Sequence, residues 1–267
     1  MTRVAEMMAM TGRVVLVTGA AGHLGRAIGD TGAELGASVV VLDLDPARCV
    51  AEANRLNATH GVEAMPLAVD LAIDEEVQAV PSAVEERFGR LDVIVNNAAL
   101  VGTSQLTGWA VRFESQSLET WRKAIDVNLT APFALTQSCA PLLERSAAAS
   151  IINVASIYAV VGPDRRLYEG TDLDNPAAYA ASKAGLMGLT RWMATSLAPR
   201  IRVNAIVCGG IERGQDPAFR ARYEARTPLA RMAVEADFKG AVAFLASDLS
   251  RYVTGHGLVV DGGWTAW

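Results

Sequence analysis

Short runs of aliphatic, mostly β-branched residues recur along the chain: RVVLV at 13–17, SVVVL at 38–42, LDVIV at 91–95, SIINV at 150–154, IRVNAIV at 201–207 and GLVV at 257–260. Almost every position in them is apolar, which suits strands covered on both faces rather than strands with one wet side. Segments with helical character separate the runs. Alternation of this kind needs crossover connections, so it predicts an α/β fold built on a parallel sheet with helices on both faces. VEAMPLAV at 62–69 is a weaker run that fills the remaining gap, for a total of about seven strands.

Helix starts are marked by residues that complement a helix N-terminus. One helix is predicted after Asp45-Pro46, one after Asp74 with Glu75 and Glu76 in its first turn, and one after Ser117 with Thr120 and Trp121. Three stretches carry neither period: 98–116, 157–178 and 209–230. The last contains Arg213, Arg220, Arg222 and Arg226, with Arg231 just beyond it. Long loops in a compact domain are often lids or binding surfaces. The arginines fit equally a solvated face or a subunit contact.

Composition narrows the function class. At 267 residues, with 51% hydrophobic and 20% charged positions and no linker or repeat, the chain reads as a single domain over 1–267. Twenty-four basic against twenty-nine acidic residues leave a net charge of −5, which opposes attraction to a phosphate backbone and makes nucleic acid a poor partner. No run approaches the ~20 apolar residues of a membrane span, and MTRVAEMMAM lacks the apolar core of an export signal, so no membrane partner and a cytoplasmic location are expected. Cys49, Cys139 and Cys208 form no CxxC pair, which argues against disulfides and a metal site and leaves them as small core residues in a reducing compartment.

The first strand runs straight into TGAAGHLG, with Gly19, Gly22 and Gly25, and then into a helical pattern. Glycines at a strand-to-helix turn let backbone N–H groups approach a pyrophosphate, and the helix N-terminus adds partial positive charge. Alone, such a cluster also fits a plain tight turn. The second strand ends at Asp43, about 18 residues after Gly25, where an acid accepts hydrogen bonds from an adenosine ribose. Asp43 would repel a 2′-phosphate, and neither the turn nor the residues just after Asp43 supply a neutralising cation. NAD(H) is therefore preferred over NADP(H).

Tyr179 and Lys183 stand four apart in a strongly helical segment, so they share a face. A phenol near pKa 10 is a poor base at neutral pH, but an adjacent ammonium favours its phenolate, and the pair can exchange a proton. Helices also carry this spacing by chance. Ser156 lies just past the run SIINV, at the carboxyl edge where open α/β sheets place ligands, and can hold a substrate oxygen. Asn128, in DVNLT, completes a possible polar set or is a core amide bonded to backbone.

Over essentially its full length the chain resembles the short-chain dehydrogenase/reductase family. The matching motifs, in order, are TGAAGHLG, Asp70-Leu71, NNAA at 96–99, Asn128, Ser156, YAASK at 179–183 and VDGG at 260–263. The resemblance implies a Rossmann-type doubly wound sheet and nicotinamide-dependent interconversion of an alcohol and a carbonyl on a small-molecule substrate. By the family pattern Tyr179 is the general acid/base, Lys183 binds the nicotinamide ribose and lowers the tyrosine pKa, Ser156 orients the substrate oxygen, and Asn128 holds a water in a relay from Lys183. The implied cofactor contacts are Gly19, Gly22, His23, Leu24 and Gly25 at the turn, Asp43 and Leu44 after the second strand, and Asp70 and Leu71 near the adenine. Asn97, Ala98 and Ala99 lie along the adenosine ribose side, and Gly209 and Ile211 near the nicotinamide, beside Tyr179 and Lys183.

Three departures from the family pattern matter. His23 stands where the turn usually has its middle glycine and either crowds the pyrophosphate or donates to it. NNAA replaces NNAG at Ala99. Cys208-Gly209 replaces Pro-Gly, and the threonine usual a few residues later is absent from GIERGQ, which leaves the carboxamide to backbone groups, Ile211 foremost. The loop 157–178 is polar, with Asp164, Arg165, Arg166, Tyr168, Glu169 and Asp172 expected near the entrance. That favours a hydroxyl-rich or charged substrate. Together with the GGWTAW ending it is similar to a subgroup associated with bacterial surface-sugar synthesis, which implies a sugar-type alcohol, with at most one of Arg165 and Arg166 gripping a phosphate. Trp264 and Trp267 should be buried, and in this family that end and the helices around 117–145 and 179–198 form dimers and tetramers, so a homo-oligomer is expected. The rival readings are a nucleotide-sugar epimerase or dehydratase, which usually has a longer C-terminal substrate domain, and a nonenzymatic NAD-sensing protein.

Overall fold

All seven apolar runs form strands of one sheet in a computed structural model that describes residues 2–102 and 104–267. In chain order the elements are α1 (Val4–Met8), β1 (Val14–Thr18), α2 (His23–Glu34), β2 (Ser38–Asp43), α3 (Pro46–His60), β3 (Ala64–Ala68), α4 (Asp74–Phe88) and β4 (Val93–Asn96). They continue with α5 (Leu118–Ile125), α6 (Ala131–Leu143), β5 (Ala149–Ser156), α7 (Ala177–Ser196), β6 (Ile201–Cys208), α8 (Pro217–Arg226), α9 (Lys239–Ala246) and β7 (Gly257–Val260). The strand order is β3-β2-β1-β4-β5-β6-β7, with every pairing parallel. This is a Rossmann-like doubly wound sheet whose order reverses between β1 and β4, where such sheets open a crevice at their carboxyl ends.

Alternate side chains divide between two buried layers. Val15 and Val17 of β1 and Val39 and Val41 of β2 join Leu24, Ile28, Ala53, Leu56 and Val242 on one face. Leu16, Val40, Leu42 and Ile94 join Val77, Val80, Leu135, Cys139 and Met193 on the other. Both faces are covered, which is why the strands are apolar at successive positions. β3, which pairs only with β2, alternates in exposure and tolerates Pro66, as an edge strand does.

Local signals account for several helix ends. The Asp45 carboxylate accepts from Ala47 N at 2.9 Å and Arg48 N at 3.2 Å, with Pro46 at the first helical position, and α3 stops at Gly61 with φ +66°. Ser117 Oγ accepts from Thr120 N at 3.3 Å to open α5. α4 begins at Asp74 itself, with three acids in its first turn complementing the helix dipole.

Three features differ from the sequence expectation. The stretch 209–230 is not irregular throughout: α8 lies within it, capped by Asp216 and begun by Pro217, a start signal as clear as the one at Asp45. The helix opened at Ser117 widens into a π-turn over Asp126–Thr130 before α6. β5 extends through Ser156, because β6 offers pairing partners as far as Ser156↔Cys208.

A buried polar chain ties α7 to the sheet. Asn96 Nδ2 donates to Asn153 Oδ1 at 2.8 Å, Asn153 Nδ2 donates to Thr190 Oγ1 at 2.9 Å, and the Thr190 hydroxyl donates to Leu186 O at 2.7 Å. Thr190→Val keeps the volume but leaves the Asn153 amide without its acceptor. Equilibrium denaturation is expected to show a loss of about 1–3 kcal/mol; unchanged stability would contradict this account of how α7 is fixed.

Candidate active site

The carboxyl ends of β1, β4, β5 and β6 open into a cleft of about 940 Å³. At one end is the glycine turn. Gly19 has φ +62°, and a Cβ there would lie 3.0 Å from Ala98 Cα; at Gly25 a Cβ would fall 2.0 Å from Gly19 O. Neither position accepts a side chain, so the backbone comes as close to the cleft as it can. α2 starts at His23 behind Gly22, which makes no side-chain cap. Its first N–H groups are therefore available to an anion. Gly22, His23 and Leu24 line the cleft with Gly19 and Gly25, and His23 is exposed at the rim.

Thr18 binds this turn to the next segment: its Oγ1 accepts from Asn97 N at 2.9 Å and Ala98 N at 3.0 Å, while Asn97 Nδ2 donates to Thr18 O and Gly19 O. Asn97, Ala98 and Ala99 line the cleft, as do Asp43 and Leu44 after β2 and Asp70 and Leu71 after β3. Asp43 accepts from Ala21 N at 3.0 Å and Leu44 N at 2.8 Å. Arg48 also lines this end and donates through Nη2 to Ala21 O at 2.6 Å, so the expectation that no cation stands near Asp43 is corrected. The first turn of α3 carries Arg48 back over the glycine turn, a placement five residues of spacing do not reveal. An open helix end, a cradle without side chains and a carboxylate beyond it fit a dinucleotide.

Ser156, Tyr179 and Lys183 meet at the other end and line the same cleft, with Cys208, Gly209 and Ile211 beside them. Burial pushes the Tyr179 phenol up to about 12, against the pull of the Ser156 hydroxyl and, after it, the Arg213 guanidinium. The family resemblance implies that Lys183 lowers this value; here Lys183 Nζ lies 5.7 Å from the ring centroid and donates to Val154 O at 2.7 Å, and burial brings its own value down to about 8. Cys208 is buried in the same core layer as Cys49, its thiol pushed up to about 12 by burial, and it also lines the cleft, whereas Cys139 lies in the layer on the other face of the sheet. Gly209 N donates to Val260 O and Gly210 N to the Tyr223 hydroxyl; among the described residues Ile211 N makes no such bond.

Asn128 lies outside the cleft lining. Its Oδ1 accepts from Leu100 N at 2.7 Å and its Nδ2 donates to Leu100 O and Ser182 Oγ, which pins the π-turn to the segment after β4 and to α7. The loop 157–178 also differs from expectation. Arg166 and Arg226 pair with Asp164, Arg165 with Asp174 and Arg112 with Asp172. Of the six entrance residues expected, only Tyr168 lines the cleft, joined by Tyr158, Leu173 and Asn175. Asp164 and Asp172 are held by arginines away from the cleft lining, neither Arg165 nor Arg166 lines it, and Asp174, the partner of Arg165, is the loop carboxylate that does. Trp264 is buried under the Arg226 guanidinium, 4.9 Å from its ring, whereas Trp267 is exposed in the single chain.

Burial of the Lys183 ammonium has a consequence for stability. An unfolded lysine protonates below about 10.5, the folded one only below about 8, so between those values the unfolded state holds the extra proton. Stability therefore rises with pH across that window, and the full penalty, about 3 kcal/mol, applies below it. Lys183→Met is expected to be more stable than the parent by about 1–3 kcal/mol at pH 7, with the gain gone above pH 10.5, in denaturation series at both pH values. Equal or lower stability of the variant at pH 7 would contradict the assigned burial.

The family profile described as enoyl-(acyl carrier protein) reductase matches residues 19–265. An uncharacterised short-chain type dehydrogenase/reductase of Sinorhizobium fredii is 35% identical over 95% of the chain, which spans 44% of that protein's length. Trans-4-hydroxycyclohexanecarboxylate dehydrogenase of Sinomonas cyclohexanicum is 34% identical over 100% of the chain and 97% of its own length. Among solved structures, the NADPH-dependent 3-quinuclidinone reductase of Rhodotorula rubra superposes with a TM-score of 0.89 at 28% identity, covering 100% of this chain and 96% of that one. The chain belongs to the short-chain dehydrogenase/reductase family, oxidoreductases that act on alcohol and ketone groups with a nicotinamide cofactor.

Proposed function

We propose that the protein is an NAD(H)-dependent oxidoreductase that interconverts an alcohol and a carbonyl on a small polar substrate. One observation carries the reading: Ser156 and Tyr179 line the same continuous cleft as the glycine turn and Asp43. When bound, the nicotinamide gives or takes the hydride. Tyr179 holds the proton exchanged with the substrate oxygen, and the Ser156 hydroxyl donates to that oxygen. Lys183 holds the nicotinamide ribose, and Asn128 positions the backbone at Leu100 next to the site. Burial keeps Tyr179 in its phenol form at neutral pH, the form that has a proton to give in the direction of carbonyl reduction.

The choice of NAD rests on Asp43, whose carboxylate stands where a 2′-phosphate would bring like charge. Arg48 acts against that choice, and the quinuclidinone reductase neighbour uses NADPH. Against Arg48, its Nη2 already holds Ala21 O. A sugar-type alcohol remains within the proposal, although of the six loop residues that favoured it only Tyr168 lines the cleft. The relative from Sinomonas, by its name, acts on a cyclic hydroxy carboxylate.

In the enzyme assay, NADH is expected to support turnover with a higher kcat/KM than NADPH. Tyr179→Phe should cut turnover by at least about a hundredfold while dinucleotide affinity stays within about threefold. Retained turnover would contradict the role of Tyr179.

We also propose a cytoplasmic homo-oligomer, a dimer or tetramer. The large side chains of Trp121, Phe133 and Trp192 are exposed on α5, α6 and α7, more aromatic surface than a monomer usually leaves in water. Light scattering at micromolar concentration should report a dimer or tetramer, and Trp192→Glu should shift it toward smaller species. A monomeric parent would contradict this.

A further inference from the structure

The substrate half of the cleft contains several charged groups, and their partners distinguish them. Arg222 donates through Nη1 to Leu167 O and Glu169 O, so it clasps the 157–178 loop to α8. Asp216 accepts from Ala218 N and Phe219 N as the cap of α8. Asp174 is paired with Arg165. Arg213 is different. Its Nε donates to Glu235 Oε1 at 3.3 Å, and neither terminal nitrogen has a hydrogen-bond partner among the described residues. Its side chain is only 25% exposed, and the residue lines the cleft.

The turn that bears Arg213 is held from several sides. Gly210 N donates to the Tyr223 hydroxyl, Glu212 N to Ala233 O and Ala233 N to Gly210 O, while Gln215 Nε2 donates to Ile211 O and Arg213 N to Gln215 Oε1. The guanidinium is therefore presented from an ordered backbone, with Glu235 fixing one edge. Its charge is felt at the hydroxyl of Tyr179 and at the thiol of Cys208. A cation close to the proton-transfer group, with two donors on a planar fork, matches one carboxylate bound through two parallel hydrogen bonds. A phosphate dianion fits less well: Arg222 is engaged by carbonyls, and Asp174 and Asp216 line the same half of the cleft.

We propose that Arg213 is the residue that selects the substrate, by binding a carboxylate carried on the same molecule as the reacting alcohol or carbonyl. The substrate is thus a hydroxy or oxo carboxylic acid, with its hydrocarbon skeleton against Tyr158, Tyr168 and Phe219. This rests on the oxidoreductase reading above and specifies its substrate class.

The test compares trans-4-hydroxycyclohexanecarboxylate and an acyclic hydroxy carboxylate with the carboxamides of the same skeletons, using the parent enzyme, Arg213→Gln and Arg213→Lys. The parent should favour carboxylate over carboxamide by about 10- to 100-fold in kcat/KM. Arg213→Gln should erase most of that ratio, mainly through KM, and Arg213→Lys should restore part of it. Because Arg213 also acts on Tyr179, a uniform fall in kcat for both substrates is expected in addition; only the ratio reports the anchor. A parent that shows no carboxylate preference, or an Arg213→Gln variant that keeps it, overturns the proposal. Turnover of neutral alcohols alone sinks the anchor and leaves the oxidoreductase reading intact, whereas no nicotinamide-dependent turnover of any alcohol or ketone sinks both.

Discussion

The position of α7 against the sheet is the constraint on which the site depends. Tyr179 and Lys183 share a turn of that helix, but a shared turn says nothing about where the turn points. Two sets of buried polar contacts decide it: the Asn96–Asn153–Thr190 chain, and the Lys183 ammonium on Val154 O. Both are made to β5, the strand that ends in Ser156, so one strand fixes the hydroxyl of Ser156 and, through α7, the phenol of Tyr179. Hydrogen bonds inside a core have few alternative partners, so they specify one register where apolar packing would accept several. The desolvation of Lys183 is a stability cost of that arrangement, accepted at a functional site.

The sheet was legible because its determinants are local. A strand buried on both faces must be apolar at successive positions, and β1, β2, β4, β5 and β6 each announce themselves that way. The glycine turn was legible for a similar reason: a Cβ at Gly25 would strike the carbonyl oxygen of Gly19, six residues earlier in the same chain segment. Ser156 at a strand end and the spacing of Tyr179 and Lys183 are likewise short-range patterns.

What escaped the sequence depends on partners far along the chain. The 157–178 loop looked like a polar entrance, yet Asp164 is drawn away by Arg226, 62 residues later. Arg48 turns back to the carbonyl of Ala21, 27 residues earlier, and so brings a cation to the end of the cleft where none was expected. Spacing left Asn128 open between a polar site residue and a core amide, and it is the contacts with Leu100, 28 residues earlier, and Ser182, 54 residues later, that occupy its amide. Arg213 was one of several arginines in an unassigned stretch until α8 and the bridge between Ile211 and Ala233 set its direction. Burial decides the proton affinities as well. It outweighs neighbouring charge at Tyr179, a balance that depends on the whole surrounding shell. Residue types and spacing are therefore legible at short range, whereas what each side chain faces is set by partners far along the chain.

The central claim is that one cleft holds both the dinucleotide and the proton-transfer group. A crystal structure with NAD bound tests it most directly. The account predicts the pyrophosphate over the Gly19 to Gly25 turn at the start of α2, and the nicotinamide ring in contact with the space between Ser156 and Tyr179. A dinucleotide bound elsewhere, or one whose nicotinamide points away from Tyr179, would contradict it.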